Sequence, residues 1–474
     1  MTVLVAGLVL GLYILISYGV GRLIVAVAGF QVDGLVRAGC PLIGAGAMAI
    51  QLWIFGVIHV PWFVIFLVGP WVVVAAIARR RLVAAMRDDA EALRRSVGSL
   101  RDLDPLTAGI AAFTLATLGF YLLNLLAQPL VGWDAIAMWM FKARVFFDSG
   151  SVNLANLPVY PLVGSRHLDY PPLFSLMVDT TWVLIGRIDD MAGKSIGLMF
   201  LISAVGAVMA SLSPILGRRL TVLLAFILVA MPAMQTSFIF PYYIGYADYA
   251  LATLILLSLA FLYRSARVGR DEDSTLAFVF ASFAALTKNE GIPFLLIVVV
   301  VLGSGVAWAM LREHDRPTVR LMATAVAVLI PVLAWQVYAR VHGFNSDVLT
   351  KAHPSWTVGV LTSRAHTIAL FFWHLMNRLD DYPWLAAAWI VSTALTALSR
   401  YRRLTLVWGV FSAQAIVLGL ALLLTPNDVS FELNTAADRL VLQLAPSLVL
   451  LLGLALRELP RRNVAEISAG EAIA

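Results

Sequence analysis

The chain has 474 residues, 61% of them hydrophobic and only 13% charged, with 34 Lys+Arg against 28 Asp+Glu and a formal charge of +6. Soluble domains carry about 25% charged residues, and a mean hydropathy of +0.88 leaves no polar coat for a water-soluble globule. This composition excludes a cytosolic enzyme, a secreted binding module and a disordered protein; it predicts an all-α, polytopic transmembrane helical protein.

At about 20 apolar residues per span, there is room for about a dozen helices and none for a large soluble domain. Cys40 is the only cysteine, so no intramolecular disulfide and no cysteine-based metal site can form. No basic soluble stretch alternates with exposed aromatics, so nucleic acid is not an expected partner. The basic residues are nearly all arginine, a compositional pointer to a bacterial source; the lysines are Lys142, Lys194, Lys288 and Lys351. The N-terminus lacks a basic n-region and a small-residue cleavage site and reads as a retained helix.

Uncharged apolar runs predict membrane segments at about 2–21, 41–58, 61–78, 105–133, 195–215, 220–247, 247–263, 274–288, 291–311, 320–338, 383–399, 404–424 and 440–456. That makes about thirteen, with 171–186 apolar but short. Arginine clusters separate them. Arg79, Arg80, Arg81, Arg87, Arg94, Arg95 and Arg101 fill one loop, and Arg218 and Arg219 mark another. Further clusters lie at Arg264 to Arg270, Arg312 to Arg320, Arg400 to Arg403 and Arg457 to Arg462. The positive-inside rule places all six in the cytoplasm. The loop after Trp133 then faces outside while Arg218 faces inside, with two apolar segments between them. Parity requires one of the two not to cross, and 171–186 is the shorter. Such backbone must be buried in protein or line a cavity, which locates an outward-facing cavity near residues 128–195. The chain divides into residues 1–104, N-terminal helices with the arginine-rich loop; 105–300, a module with the outer loop 128–170; and 301–474, C-terminal helices with the outer loop 339–381 and a cytoplasmic tail.

The outer segments hold the polar residues that topology does not explain. Asp134 to Asp148 reads as an interfacial helix, with Ile136, Trp139, Ala143, Phe146 and Phe147 on one apolar face and Lys142 off it. Asp134 stands where a long uncharged run meets this helix; it serves either as a helix N-cap or as a functional acid at the headgroup level. His167 and Asp169 precede Pro171-Pro172 and read as loop or cap residues or as site residues. Tyr242, Tyr243 and Tyr246 suit an aromatic belt, and Asp248 begins a helix on the same side as Asp134. In Thr287-Lys288-Asn289-Glu290-Gly291 a lysine and a glutamate occupy a corner with almost no loop. They form either a surface ion pair or a site where Lys288 meets an anion. Arg439, at the outer edge of the last span, opposes the charge bias as the lysines do.

Trp133-Asp134 with its interfacial helix, Tyr170-Pro171-Pro172-Leu173 and Thr287-Lys288-Asn289-Glu290-Gly291 resemble, in that order, the GT-C class of membrane glycosyltransferases. The likeness is to the protein O-mannosyltransferase and aminoarabinose transferase branch, over about residues 105–300. The resemblance implies a GT-C-like fold with outer-face interfacial helices. It also implies a polyprenyl-phosphate sugar as donor and a hexosyl or pentosyl transfer at the outer face of the bacterial cytoplasmic membrane. It implies Asp134 as catalytic base, with Asp169 in place of the second acid that many members carry beside it. Lys288 would bind the lipid phosphate, with Arg439 or Arg144 completing the clamp. His167, Tyr243, Asp248, Glu290 and Lys142 are the expected substrate-binding residues. One base and direct displacement invert the anomeric centre. Expected partners are the donor, an envelope lipid, glycan or protein acceptor, and membrane lipids. No cofactor and no metal ligands are expected, and the sequence does not set the divalent-metal dependence. A lipid-linked oligosaccharide polymerase or ligase is the alternative, using Arg340, His353, Arg364 and His366 of the outer loop. A transporter is a weaker one, because the polar residues gather at the surface and not at the midplane.

Overall fold

The computed structural model describes residues 3–154, 167–239, 243–312, 319–344, 346, 357–377, 382, 385–398 and 402–457. Pro241, Tyr242, Arg316, Lys351, His353, Arg400, Arg461 and Arg462 lie outside them. The described chain is helical. Eight of its helices are long and apolar enough to cross a membrane: Val3–Ala28, Gly34–Val57, Pro105–Ala127, Asp190–Leu216, Asp248–Val268, Leu321–Val341, Arg403–Leu423 and Val429–Arg457. Arg218–Ala230 and Pro232–Ile239 form a ninth if the pair, bent by 51°, is one span. The bend falls at Pro232, whose ring cannot continue the ladder of the preceding helix. The chain is therefore a multi-pass helical membrane protein.

Several helices run past the charges that were expected to end them. The first extends to Ala28 through Arg22, and the second starts at Gly34 and includes Arg37. Asp89 explains both, accepting from Arg22 Nε and Arg37 Nε at 2.7 Å each and from the Tyr18 hydroxyl at 2.9 Å. A paired charge can stay inside a helix bundle where a lone one cannot. The last helix likewise begins at Val429, so Arg439 sits within it and not before it. Leu173–Ile185 has 13 residues, about 20 Å of helix against a hydrocarbon core of about 30 Å. It is buried along most of its length.

Asp248–Val268 is the axis of the bundle, with nearly every residue buried. It packs against Asp271–Thr287, Val429–Arg457 and Gly197–Leu216. The first two helices approach more closely than side chains allow: a Cβ on Gly44 would collide with the Ser17 carbonyl oxygen, and one on Gly21 with that of Cys40. Small residues at such a crossing replace the hydrophobic drive that lipid does not supply. The arginines Arg264 and Arg267 and the expected site residue Asp248 fall at opposite ends of one helix, the axial one.

Candidate functional site

The site is built around the first residue of the axial helix. Asp248 is 1% exposed, and its carboxylate does not cap the helix it begins. One oxygen accepts from Lys288 Nζ at 2.7 Å and from Gln443 Nε2 at 2.8 Å. The other accepts from Arg439 Nε at 3.1 Å and Nη2 at 2.9 Å. Arg439 and Gln443 are four residues apart on one helix, so they share a face and reach the same carboxylate. Lys288 arrives from a corner where the backbone leaves Asp271–Thr287 in an extended conformation. A Cβ on Gly291 would run into the Ala284 carbonyl, so only glycine lets the next helix start so soon.

The network extends at both ends. Arg439 Nη1 holds Asp134 Oδ2 at 2.7 Å, and Lys288 Nζ holds Glu290 Oε1 at 2.9 Å. Three carboxylates and two cations thus alternate in the order Asp134, Arg439, Asp248, Lys288, Glu290. Buried charges are tolerable when each meets an opposite charge and further donors or acceptors. Two rings complete the packing, with Tyr246 under the Arg439 guanidinium at 4.8 Å and Tyr170 near Lys288 Nζ at 5.6 Å. Asp134 does not cap the helix after it. Its side chain is 13% exposed against 2% for Asp248. Asp134 is therefore the more exposed of the two carboxylates on Arg439, and Asp248 the one that anchors the interior. The Lys288–Glu290 pair exists, but as part of a buried network and not as an isolated surface pair.

A second group lies beside it. Asn289 donates to Asp169 Oδ2 at 2.6 Å, Trp335 Nε1 donates to the Asp169 carbonyl at 3.0 Å, and His167 Nδ1 lies 3.9 Å from Asp169 Oδ1. Burial raises the Asp169 carboxyl above the usual range against the pull of Lys142 and His167. On the other flank Tyr243 donates to Asp438 Oδ2 at 3.0 Å, and Tyr382 donates to the Asp438 carbonyl. Burial and the adjacent Asp438 push the Tyr243 phenol up to about 12.

Lys142 and Arg144 are not where the sequence put them. Residues Ala135–Met140 form one π-helical stretch before Phe141–Ser149 continues as α-helix. The wider turn changes which side chains share a face, so Ile136 is exposed and Lys142 fully buried. Lys142 Nζ donates to the carbonyls of His167 at 2.9 Å and Tyr170 at 2.8 Å, stapling the interfacial helix to the Asp169 loop. Its amine is fully buried and bonded to backbone carbonyls, so it holds the Asp169 loop in place. Arg144 pairs with Asp190 at 2.6 Å on the half-exposed surface, and not with any member of the charge network. Of the polymerase-type residues, His353 lies outside the described chain. Arg364 donates to the carbonyls of Leu423, Thr425 and Asn427, closing the end of a helix.

Burial pushes the Lys142 amine down to about 7, with Asp169 opposing. An unfolded lysine titrates near 10.4, so between about pH 7 and pH 10 the unfolded chain binds the extra proton. Stability contributed at this position therefore rises with pH through that window and is flat below it. Lys142→Met leaves the carbonyls of His167, Leu168 and Tyr170 without this donor, a loss of about 1–3 kcal/mol. Thermal unfolding should show wild type gaining stability relative to this variant between pH 8 and pH 9.5.

Two cavities of about 20 Å3 flank Arg439. One is lined by Lys194, Tyr243, Tyr246, Asp248 and Tyr249, the other by Tyr243, Tyr382 and Asp438. Each holds about one water, so anything larger enters only if lining side chains such as Arg439 move. Among the described residues no group of three His, Cys, Asp or Glu is placed to hold a metal ion. Sequence reasoning missed Gln443, Tyr246, Asp438, Asn289 and Lys194 as neighbours of the site. A glutamine four residues after an arginine inside an apolar helix was the available signal for Gln443. Compared with protein-family models, with curated proteins and with solved structures, the chain matches none.

Proposed function

We propose that the protein is an inverting glycosyltransferase that moves a sugar from a polyprenyl phosphate to a hydroxyl acceptor. In this reading it has a GT-C-like architecture with about thirteen membrane segments, lies in a bacterial cytoplasmic membrane, and turns the site to the outer face. The observation that carries the proposal is the coupling of Asp134 to Arg439. A partly exposed carboxylate is held by a guanidinium whose other edge is pinned to Asp248, which also binds Lys288.

In the proposed reaction Asp134 takes the proton of the acceptor hydroxyl while its oxygen forms a bond to the anomeric carbon. The carbon–oxygen bond to phosphate breaks, and its electron pair leaves with the polyprenyl phosphate. Arg439 and Lys288 stabilise that negative charge as it develops, in a site where burial strengthens the interaction. Arg439 then has two alternative partners, Asp134 without donor and phosphate with it. Phosphate binding releases the base from its ion pair.

Lys288 provides a test of the clamp. If it only serves the ion pairs with Asp248 and Glu290, Lys288→Ala lowers stability but leaves donor affinity intact. As a phosphate clamp, Lys288→Ala should lower donor affinity or transfer by about 10–150-fold, the worth of a charge-assisted contact of 1.5–3 kcal/mol. Adding Glu290→Gln should not restore it. Lys288→Arg should restore only part, because a planar fork does not replace a compact ammonium. Donor binding and turnover of the four proteins of this cycle measure the coupling, and full activity of the doubly neutral variant contradicts the clamp.

A further inference from the structure

The opposite end of the bundle carries a feature that the proposed chemistry does not use. Arg79–Leu100 is a 22-residue helix. Val83, Met86, Leu93, Val97 and Leu100, spaced by three, seven, four and three residues with Ala90 between the second and third, form one stripe. All five are exposed, at 47% to 65%. Arg80, Arg87, Arg94 and Arg101 recur every seven residues along one flank of that stripe, also exposed. Seven residues bring an α-helix back to within about 20° of the same direction, so the four form a nearly straight row. Asp88 and Glu91 lie beyond the row, away from the stripe.

The helix is fixed across the arginine-rich end of the bundle. Near its start Arg81 donates to the Val27 carbonyl at 2.9 Å. In its middle Asp89 binds Arg22 and Arg37. Near its end Ser99 accepts from Arg218 at 3.1 Å. Its neighbours in the chain are the apolar helices Val64–Ile77 and Pro105–Ala127. Between the Val3–Ala28 and Val64–Ile77 helices and this one lies a cleft of about 450 Å3, lined mainly by apolar groups such as Leu15, Leu23, Val68, Val72 and Met86. Met86 belongs to both cleft and stripe, so the two apolar surfaces are continuous.

We infer that this helix docks on anionic phospholipid of the leaflet at the arginine-rich end. The arginine row meets the headgroup phosphates, the stripe lies in the acyl boundary, and the cleft receives an acyl chain. Charge complementarity and the lipid-facing neighbours select this occupant: a stripe flanked by a row of cations suits the membrane interface. Each arginine near such a surface contributes about fivefold to the affinity for anionic lipid.

The test uses the full chain in nanodiscs with one thiol-reactive fluorophore, at Val97→Cys on the stripe or Glu91→Cys on the polar face; the native Cys40 is buried. In discs containing phosphatidylglycerol, spin-labelled acyl chains should quench the label at 97, and aqueous iodide the label at 91. Acyl-chain quenching at 97 should weaken in phosphatidylcholine alone. The triple variant Arg87→Gln, Arg94→Gln, Arg101→Gln should quench alike in both lipids. Equal access of iodide to 97 and 91 in phosphatidylglycerol discs overturns the inference. So does protection at 97 that persists in detergent, or that disappears when the chain is cut after Arg457. Crosslinking between Val97→Cys copies also counts against it, because that result makes the occupant a second copy of the chain.

Discussion

Asp248→Ala is expected to destabilise the protein by about 3–5 kcal/mol, the cost of breaking a buried ion pair by removing one partner. Four donor contacts end on this one carboxylate, from Lys288, Gln443 and two nitrogens of Arg439. Removing it leaves Lys288 with Glu290, and Arg439 with Asp134, at the two far ends of the network. Nothing then holds the axial helix, the last helix and the Gly291 corner together by charge. Asp248→Asn keeps an acceptor oxygen and the volume, so its loss should be smaller than that of alanine. Thermal unfolding in detergent orders the three proteins. Equal stability of wild type and Asp248→Ala would show that the network does not organise this end of the bundle.

Asp134→Asn is expected to reduce sugar transfer by about 10²–10⁴-fold, the contribution of a positioned general base. The same change should leave the fold close to wild type. Arg439 keeps both of its contacts to Asp248, and Asp134 is the more exposed of its two partners. The contrast with Asp248 separates chemistry from architecture within one network: one acid should cost turnover and little stability, the other a large part of both. Donor binding by the asparagine variant should persist, since Lys288 and Arg439 remain. Turnover above about a tenth of wild type is inconsistent with Asp134 as base.

The members of the network were legible as residues, and their assembly was not. Asp134, Asp248, Lys288, Glu290 and Arg439 each stood out as a charge at the end of an apolar run where membrane topology gave it no role. Nothing in their spacing said that residues 134, 248, 288 and 439 meet, because three helix ends and the interior of the last helix converge only through packing. The interfacial helix shows the limit of periodicity. A π-helical stretch is invisible to a 3.6-residue count, and after it Lys142, expected off the apolar face, is a buried staple. Helix ends were misplaced at Arg22, Arg37 and Arg439 for one reason: each arginine has a distant carboxylate partner that an uncharged-run rule cannot see.

The most direct test gives purified protein in nanodiscs a polyprenyl-phosphate monosaccharide with a hydroxyl acceptor and follows formation of free polyprenyl phosphate. Wild type should release it, with the anomeric configuration inverted in the product, and Asp134→Asn should bind the donor yet release almost none. Absence of donor binding by wild type, or equal release by wild type and Asp134→Asn, would contradict the proposed function.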